Sequence, residues 1–418
     1  MSTMSAMGHG RGRWTRGECK LPGGKLIAAS VLLDDGDDDV RCGGGRGRRI
    51  AACRIDGDFF IGGDEPSHAL IEDIETAIVA SGGCVSGVSA ADGTSPDAVY
   101  RRLVATVRSV LQSHPSSRLI GADAVTIAVA VCRAVGEPVA PAMATPLAAN
   151  ATADADFASR WAVLHPLVIR DEPREPAVQM GLEQAIGEAV ANGEMPAAIR
   201  FWQWDRSAVV IGRFQSLRAE VNGDQARAEG ITVVRRITGG GAMFAEPRSV
   251  ITYSLYAPLD FVKGLGVEDS YRLCDLWVMR ALRELGIEAS YRPINDIASP
   301  LGKIGGAAQR RMPRGARGAV LHHTMLSYDI DAMKMTRVLN ISKEKMSDKA
   351  VRSAVKHVDP LRSQTGLSRE AILDHLARHL VRRVPGASFA SLDERVLDRA
   401  GALADARYRR DEWTGVIA

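Results

Sequence analysis

The stretch with the clearest chemical content is Arg235-Arg236-Ile237-Thr238-Gly239-Gly240-Gly241-Ala242-Met243-Phe244. Three successive glycines remove every Cβ, so a ligand can come close to the backbone and the N–H groups can point at an anion. Two arginines just before them add fixed positive charge suited to phosphate or carboxylate. By itself such a stretch also fits a flexible hairpin with a solvated basic start. A second stretch bears on the choice. It holds Asn295-Asp296-Ile297, then Gly302-Lys303-Ile304-Gly305-Gly306-Ala307-Ala308-Gln309-Arg310, then Leu321-His322-His323-Thr324-Met325-Leu326. At strand spacing His322 and His323 face opposite ways, and they lack the further ligands a zinc site needs. An Asn-Asp pair is also a common turn, and Arg310 reads equally well as a strand-end charge.

The elements that must position these residues follow from periodicity. The β-branched run Ile231–Val234 before the glycines and the run from Val250 to Tyr256 after them predict strand, glycine loop, strand. Ile199–Trp204 and Ala208–Gly212 read as two further strands, with Phe201, Trp202 and Trp204 as sheet packing. Pro176 opens a helix that turns Val178, Leu182, Ala185, Ile186 and Ala189 inward and ends at Asn192-Gly193. A polar helix is expected from Gln215 to Glu229. Another, Ser270–Leu285, carries Leu273, Trp277, Ala281 and Leu285 on one stripe, with Cys274 beside it, buried and inert.

Length sets the organisation. With 418 residues the chain exceeds one ordinary core. The reading is a disordered leader at 1–18, a smaller domain at 19–137, a Pro/Ala-rich linker at 138–158 and a second domain at 159–418. The smaller domain is expected to hold a strand from Leu26 to Leu33, a strand from Ile50 to Ile55, the motif Gly57-Asp58-Phe59-Phe60, and a helix facing inward with Leu70, Ile71, Ile74 and Ile78. Two more helices are expected around Val99–Leu111 and Ala124–Val135. The run Asp34–Asp39 lacks the spaced ligands of a calcium loop and reads as a turn. Gly45–Arg49 reads as a solvated hairpin loop.

Composition excludes several classes. Hydrophobic residues at 46% and charged residues at 25% describe a soluble globular protein. A formal net charge of +3 is too mild to imply nucleic acid. Six cysteines without paired spacing suggest reduced thiols. There is no apolar signal core near the start and no run of membrane-spanning length, so the expectation is a cytoplasmic chain with neither a nucleic-acid nor a membrane partner.

Taken in order, RR-x-x-GGGA, the Asn-Asp pair, the GK-I-x-G-x-A-Q-R segment and the His-containing strand resemble the lipoate–protein ligase family. That family shares a catalytic fold with biotin ligases and octanoyltransferases. The resemblance implies an α+β fold: a catalytic domain of mixed/antiparallel sheet with flanking helices, plus a smaller α+β accessory domain, here N-terminal. Pro22-Gly23-Gly24-Lys25-Leu26 and the GDFF motif resemble that accessory domain. The implied activity uses ATP and Mg²⁺. The lipoate (or octanoate) carboxylate attacks the α-phosphorus, pyrophosphate leaves, and a lysine of an acceptor attacks the resulting acyl-adenylate. The implied acceptors are lipoyl domains of 2-oxoacid dehydrogenase E2 subunits and the glycine cleavage H protein.

Carried onto this sequence, the resemblance makes Lys303 the catalytic cation at the acyl-adenylate. Arg236 meets carboxylate or phosphate, and Thr238, Gly239, Gly240, Gly241 and Ala242 form the loop over the lipoyl chain. Asn295, Asp296, Gly305, Ala307, Gln309 and His322 complete the adenylate site, with Asp296 also holding Mg²⁺ or orienting Lys303. Relatives follow the glycine loop with His-Asp and Gly-Asn, where this chain has Ala245, Glu246, Arg248 and Ser249. Arg248 puts bulk where the backbone needs freedom. An octanoyltransferase would need a cysteine soon after Asn-Asp, and Ile297-Ala298-Ser299-Pro300 has none. A non-catalytic binder of lipoate or lipoyl domains is the remaining alternative.

Overall fold

The computed structural model describes residues 14–20, 24–34, 41–42, 45–46, 49–63, 67–81, 96–136, 154–340 and 358–417. Most of the expected leader, most of the Asp34–Asp39 run, part of the Gly45–Arg49 loop and most of the linker lie outside them. The chain divides into two units. One is Met1–Gly57 with Glu65–Thr145, and the other is Asp58–Asp64 with Pro146–Ala418.

The first unit holds an antiparallel sheet of β1 (Trp14–Cys19), β2 (Ile27–Asp34) and β3 (Arg49–Gly57). Its helices are α1 (Ser67–Ala80), α2 (Pro96–Ser113) and α3 (Ala124–Ala134). β1 was not expected, because Trp14–Glu18 fall within the segment read as a disordered leader. The strand forms because β2 supplies a full register from Trp14↔Leu32 to Cys19↔Ile27. The tight fit shows at Gly17, where a Cβ would lie 2.2 Å from the carbonyl oxygen of Ala130 on α3.

The second unit is built on an eight-stranded sheet. Its elements begin with α4 (Asp154–Ala162), which starts in the segment read as linker, then β4 (Leu167–Arg174), α5 (Pro176–Asn192) and β5 (Ala198–Trp204). Next come β6 (Ala208–Ile211), the short helices α6 (Leu217–Glu220) and α7 (Gly223–Ala228), β7 (Thr232–Arg235), β8 (Met243–Ala245) and β9 (Val250–Pro258). The single polar helix expected over Gln215–Glu229 is therefore two, because Val221 takes extended backbone and Asn222 caps a new start. The chain continues through α8 (Val267–Glu284), β10 (Ser290–Arg292), β11 (Asp296–Ala298), β12 (Lys303–Arg314) and β13 (Arg317–Ser327). It continues through α9 (Ala332–Val338), α10 (Arg369–Arg383), β14 (Ser388–Ala390) and α11 (Glu394–Leu403), followed by helical turns at Ala404–Tyr408 and Asp411–Thr414.

The large sheet runs β10-β11-β12-β13-β9-β5-β4-β14, antiparallel except where β5, β4 and β14 pair in parallel. A smaller sheet, β7-β6-β8, carries the glycine loop between its two outer strands. The fold is α+β with a mixed sheet, as the family resemblance implies.

Helices cover both faces of the large sheet, so its central strands are buried on both sides. Alternation along β9 and β5 sends Tyr253, Leu255 and Phe201 to a core with Trp277, Leu282 and Leu376 of α8 and α10. Trp202, Trp204 and Tyr256 go to the opposite core, with Met180, Leu182 and Ile186 of α5. α5 starts with Pro at its first turn and stops at Gly193, whose φ of 77° is left-handed. No described helix is long and apolar enough to cross a membrane.

Candidate functional site

The glycine loop is held from below by buried ionic groups. Arg235 is fully buried and donates to the carbonyls of Gly212, Gln215 and Thr414 at 2.6–3.0 Å. Arg236 donates to the loop itself: Nε to Thr238 Oγ1 (2.9 Å), Nη1 to Val210 O (3.1 Å), and Nη2 to the carbonyls of Gly239 (2.6 Å) and Gly241 (2.8 Å). Burial lowers its guanidinium pKa to about 10. Beside its expected place at a substrate carboxylate or phosphate, Arg236 thus has a role within the protein. All its nitrogens bind the protein, and it shapes the loop.

Thr238 extends this brace into the core. Its hydroxyl lies 2.9 Å from His323 Nε2, and His323 Nδ1 lies 2.7 Å from Glu183 Oε2. One tautomer satisfies the row: Nδ1–H donates to Glu183, and Nε2 accepts from Thr238. Glu183 also accepts from Ser254 (2.8 Å) and Tyr256, and pairs with Arg200, which bonds Asp171 and Gln179 at 2.8 and 2.9 Å. Burial pushes the Glu183 carboxyl up, but the bond to His323 and the charge of Arg200 outweigh it and hold the group below the usual range. Nothing local in the sequence announces this cluster, drawn from α5, β4, β5, β9 and β13. Its one signal is Gln179 and Glu183, polar residues four apart beside the inward stripe of α5.

The glycines answer to the protein's own chain. A Cβ on Gly239 would lie 2.7 Å from the Phe59 carbonyl oxygen, and one on Gly240 would lie 2.8 Å from the Phe60 ring. Gly240 also has φ of 89°, and its N–H donates to the Phe59 carbonyl at 3.4 Å. Phe59 stacks on Phe214 with centroids 5.1 Å apart, and Asp58 accepts from Gln215 at 2.8 Å. Gly239 and Gly240 are buried, Gly241 is exposed, and Ala242 packs against the cluster that holds Val209 and Ile211. The Asp58–Asp64 segment, read from sequence as part of the smaller domain, therefore belongs to the second unit.

Lys303 opens β12. Its Nζ lies 2.8 Å from Asp296 Oδ1, and the pair lies over Gly306, where a Cβ would be 2.9 Å from Nζ and 3.4 Å from Oδ1. Gly306 pairs with Met325, and Ala308 pairs with His323. Residues two apart on a strand share a face, about 7 Å along. The amine of Lys303 therefore lies on the same face as His323, Thr238 and the glycine loop. Arg310, two residues beyond Ala308, donates to Ile237 O at 3.1 Å, next to the loop. Asn295 fixes this geometry by bonding Ala307 through both backbone and side chain. Gly305 is required by packing, since a Cβ would lie 2.4 Å from Met325 O.

Two expected site residues point the other way. Gln309 accepts from Ser270 at 2.8 Å and His322 lies 2.8 Å from Asp275, both partners on α8. The period of two along β12 and β13 turns these side chains from the face that holds Lys303. A Mg²⁺ ion on Asp296 would have to share its carboxylate with an ammonium group already 2.8 Å away. The residues form an ion pair and do not fit a resident Mg²⁺ site.

At the departures, Arg248 has φ of 67°, the left-handed backbone that a glycine would take without strain. Glu246 bonds Lys334 at 2.7 Å, and Ser249 bonds the Glu246 backbone at 3.0 Å.

Known proteins are similar to the second unit of this chain. Residues 175–381 match the lipoyl protein ligase A/B catalytic domain. Octanoyltransferase LipM of Lysinibacillus sphaericus (strain C3-41) is 27% identical over 272 residues, 57% of this chain and 94% of that protein. Lipoate-protein ligase A subunit 1 of Thermoplasma acidophilum is 27% identical over 259 residues, 59% of this chain and 95% of that protein. A solved bipartite lipoate protein ligase of T. acidophilum, studied with its E2 lipoyl domain, aligns with TM-score 0.53 and 24% identity over 60% of this chain and 97% of its own. Through its second unit the chain belongs to the lipoyl protein ligase A/B family.

Proposed function

We propose that the protein is an ATP-dependent lipoate–protein ligase: it converts lipoate or octanoate to an acyl-adenylate and passes the acyl group to a lysine of a lipoyl-domain acceptor. ATP enters as its Mg²⁺ complex, so the metal arrives with the substrate. One observation carries the choice over an octanoyltransferase. The second unit has one cysteine, Cys274, buried in α8. Burial, and after it the charge of Asp275, push its thiol well above the ordinary value. A thioester mechanism needs an accessible thiolate, which this residue does not supply. Lys303, by contrast, is half-exposed beside Asp296 on the loop face.

Both steps of the ligase reaction build negative charge on oxygen: on pyrophosphate as it leaves, and on the acyl carbonyl as the acceptor amine attacks. A positioned ammonium lowers both barriers. Asp296 holds that ammonium in place, and the braced loop gives the acyl chain a wall of fixed shape. The acceptor is proposed as a lipoyl domain, of a 2-oxoacid dehydrogenase E2 subunit or of the glycine cleavage H protein. The T. acidophilum ligase, studied with its E2 lipoyl domain, supports the first class.

Pyrophosphate release is the test, with ATP, Mg²⁺ and lipoate, octanoate or biotin. The ligase reading expects release with lipoate or octanoate, unchanged by thiol alkylation. Acyl transfer from an octanoyl thioester without ATP, abolished by alkylation, would overturn it in favour of the transferase that the LipM relatives suggest. Neither activity would leave a binding protein.

A further inference from the structure

We propose that Glu284, His375 and His379 form a binding site for one divalent transition-metal cation, of the Zn²⁺ type, where α8 meets α10. His375 and His379 are four residues apart on α10, so both rings project from one helix face. Glu284 is the last residue of α8 and meets them from across the interface. Glu284 Oε2 is 3.3 Å from His375 Nε2 and 3.0 Å from His379 Nδ1, and one ligand atom from each residue lies within 4.8 Å of the other two.

These distances fit a metal. In a tetrahedron with metal–ligand bonds of about 2.0–2.1 Å, neighbouring ligand atoms stand about 3.3 Å apart. A cation between the carboxylate and the rings therefore replaces two N–H···O contacts with little helix movement. The second oxygen is oriented already, with Glu284 Oε1 3.4 Å from Arg383 Nη2, the kind of outer contact that fixes a ligating carboxylate. His379 is almost fully buried, which fixes its ring. His375 Nε2 also meets Ala281 O at 3.1 Å. On binding it gives up that contact, and its ring proton moves to Nδ1.

The class of ion follows from the donors. Two imidazoles and one carboxylate suit Zn²⁺, Co²⁺, Ni²⁺ or Cu²⁺, whereas Mg²⁺ and Ca²⁺ call for oxygen cages. Arg382 and Arg383 border the site and disfavour ions held by charge alone. Such a cation would fasten the end of α8, the helix that carries Cys274 and Asp275, to α10.

The test uses the full chain, stripped with a chelator and titrated with Co²⁺ while visible absorption is followed. The expected result is one equivalent bound with d–d bands, competed away by Zn²⁺. His375→Asn and Glu284→Gln should each weaken uptake by about tenfold or more. Zn²⁺ should also raise the melting temperature of the wild-type chain and leave that of His375→Asn unchanged. Because His375 is partly exposed, its variant is expected to fold, and Glu284→Gln gives a second reading. A wild-type chain that takes up no Co²⁺, or two variants that bind it as tightly as wild type, would overturn the proposal.

Discussion

At the scale of single residues, the Lys303 amine is the most exposed assignment. Its pair with Asp296 is half-exposed, so it contributes little to stability. Lys303→Ala should therefore melt within about 0.5 kcal/mol of wild type. Pyrophosphate release should fall by about 3 kcal/mol of barrier, on the order of 100-fold, as when one oxyanion donor is removed. A variant that releases pyrophosphate at the normal rate would move the chemistry to another residue. Arg248 gives the opposite kind of expectation. Its left-handed backbone costs about 1–2 kcal/mol in a residue with a Cβ, so Arg248→Gly should raise the melting temperature. An unchanged or lowered melt would mean that the Arg248 side chain compensates.

At the scale of elements, the loop and its brace form one mechanical piece. Gly240→Ala should cost about 1–2 kcal/mol from backbone strain alone, with the Phe60 contact in addition. Glu183→Ala removes one of the two carboxylates paired with buried Arg200 and leaves Ser254, Tyr256 and His323 without their acceptor, and should cost about 3–5 kcal/mol in a denaturant titration. The brace also sets a pH dependence. Burial, which Glu183 opposes and Arg236 and His322 reinforce, holds His323 below its ordinary pKa. The unfolded chain therefore takes up that proton first. Stability from this site is complete above about pH 6.5 and falls as the pH drops toward the depressed native value. Glu183, also depressed, adds a loss that begins below about pH 4.3. Urea midpoints should be lower at pH 5.5 than at pH 7.5, and the difference should shrink in His323→Gln. A difference of the same size in that variant would exclude His323 as its source.

At the scale of the whole molecule, the division of the chain is discontinuous. Asp58–Asp64 belongs with Pro146–Ala418, although the chain on either side of it belongs to the other unit. A chain beginning at Pro146 would lack Phe59 and Phe60, leaving Phe214 and the buried glycines uncovered. It should melt below the full chain and exchange the amide hydrogens of Gly239 and Gly240 faster, as seen by mass spectrometry. Equal protection in both would mean that the glycine loop holds its shape without this segment.

What the sequence determined by itself was local or repeated. Apolar alternation and β-branched runs marked β5, β6, β7 and β9, Pro176 and Gly193 marked the ends of α5, and the ordered motifs around Gly239–Gly241 and Lys303, with the His-containing strand β13, marked the family. These signals survive because each rests on neighbours in the chain. Only the tertiary structure decided which face each motif residue serves. A one-residue step along a strand reverses its side chain, so His323 reaches the loop while His322 reaches Asp275. It also decided that Arg236 braces the loop, that Phe59 and Phe60 cover its glycines, and that Glu183 anchors it. Those roles depend on groups brought together from distant parts of the chain, and burial and pairing at such distances leave no periodic trace in the order of residues.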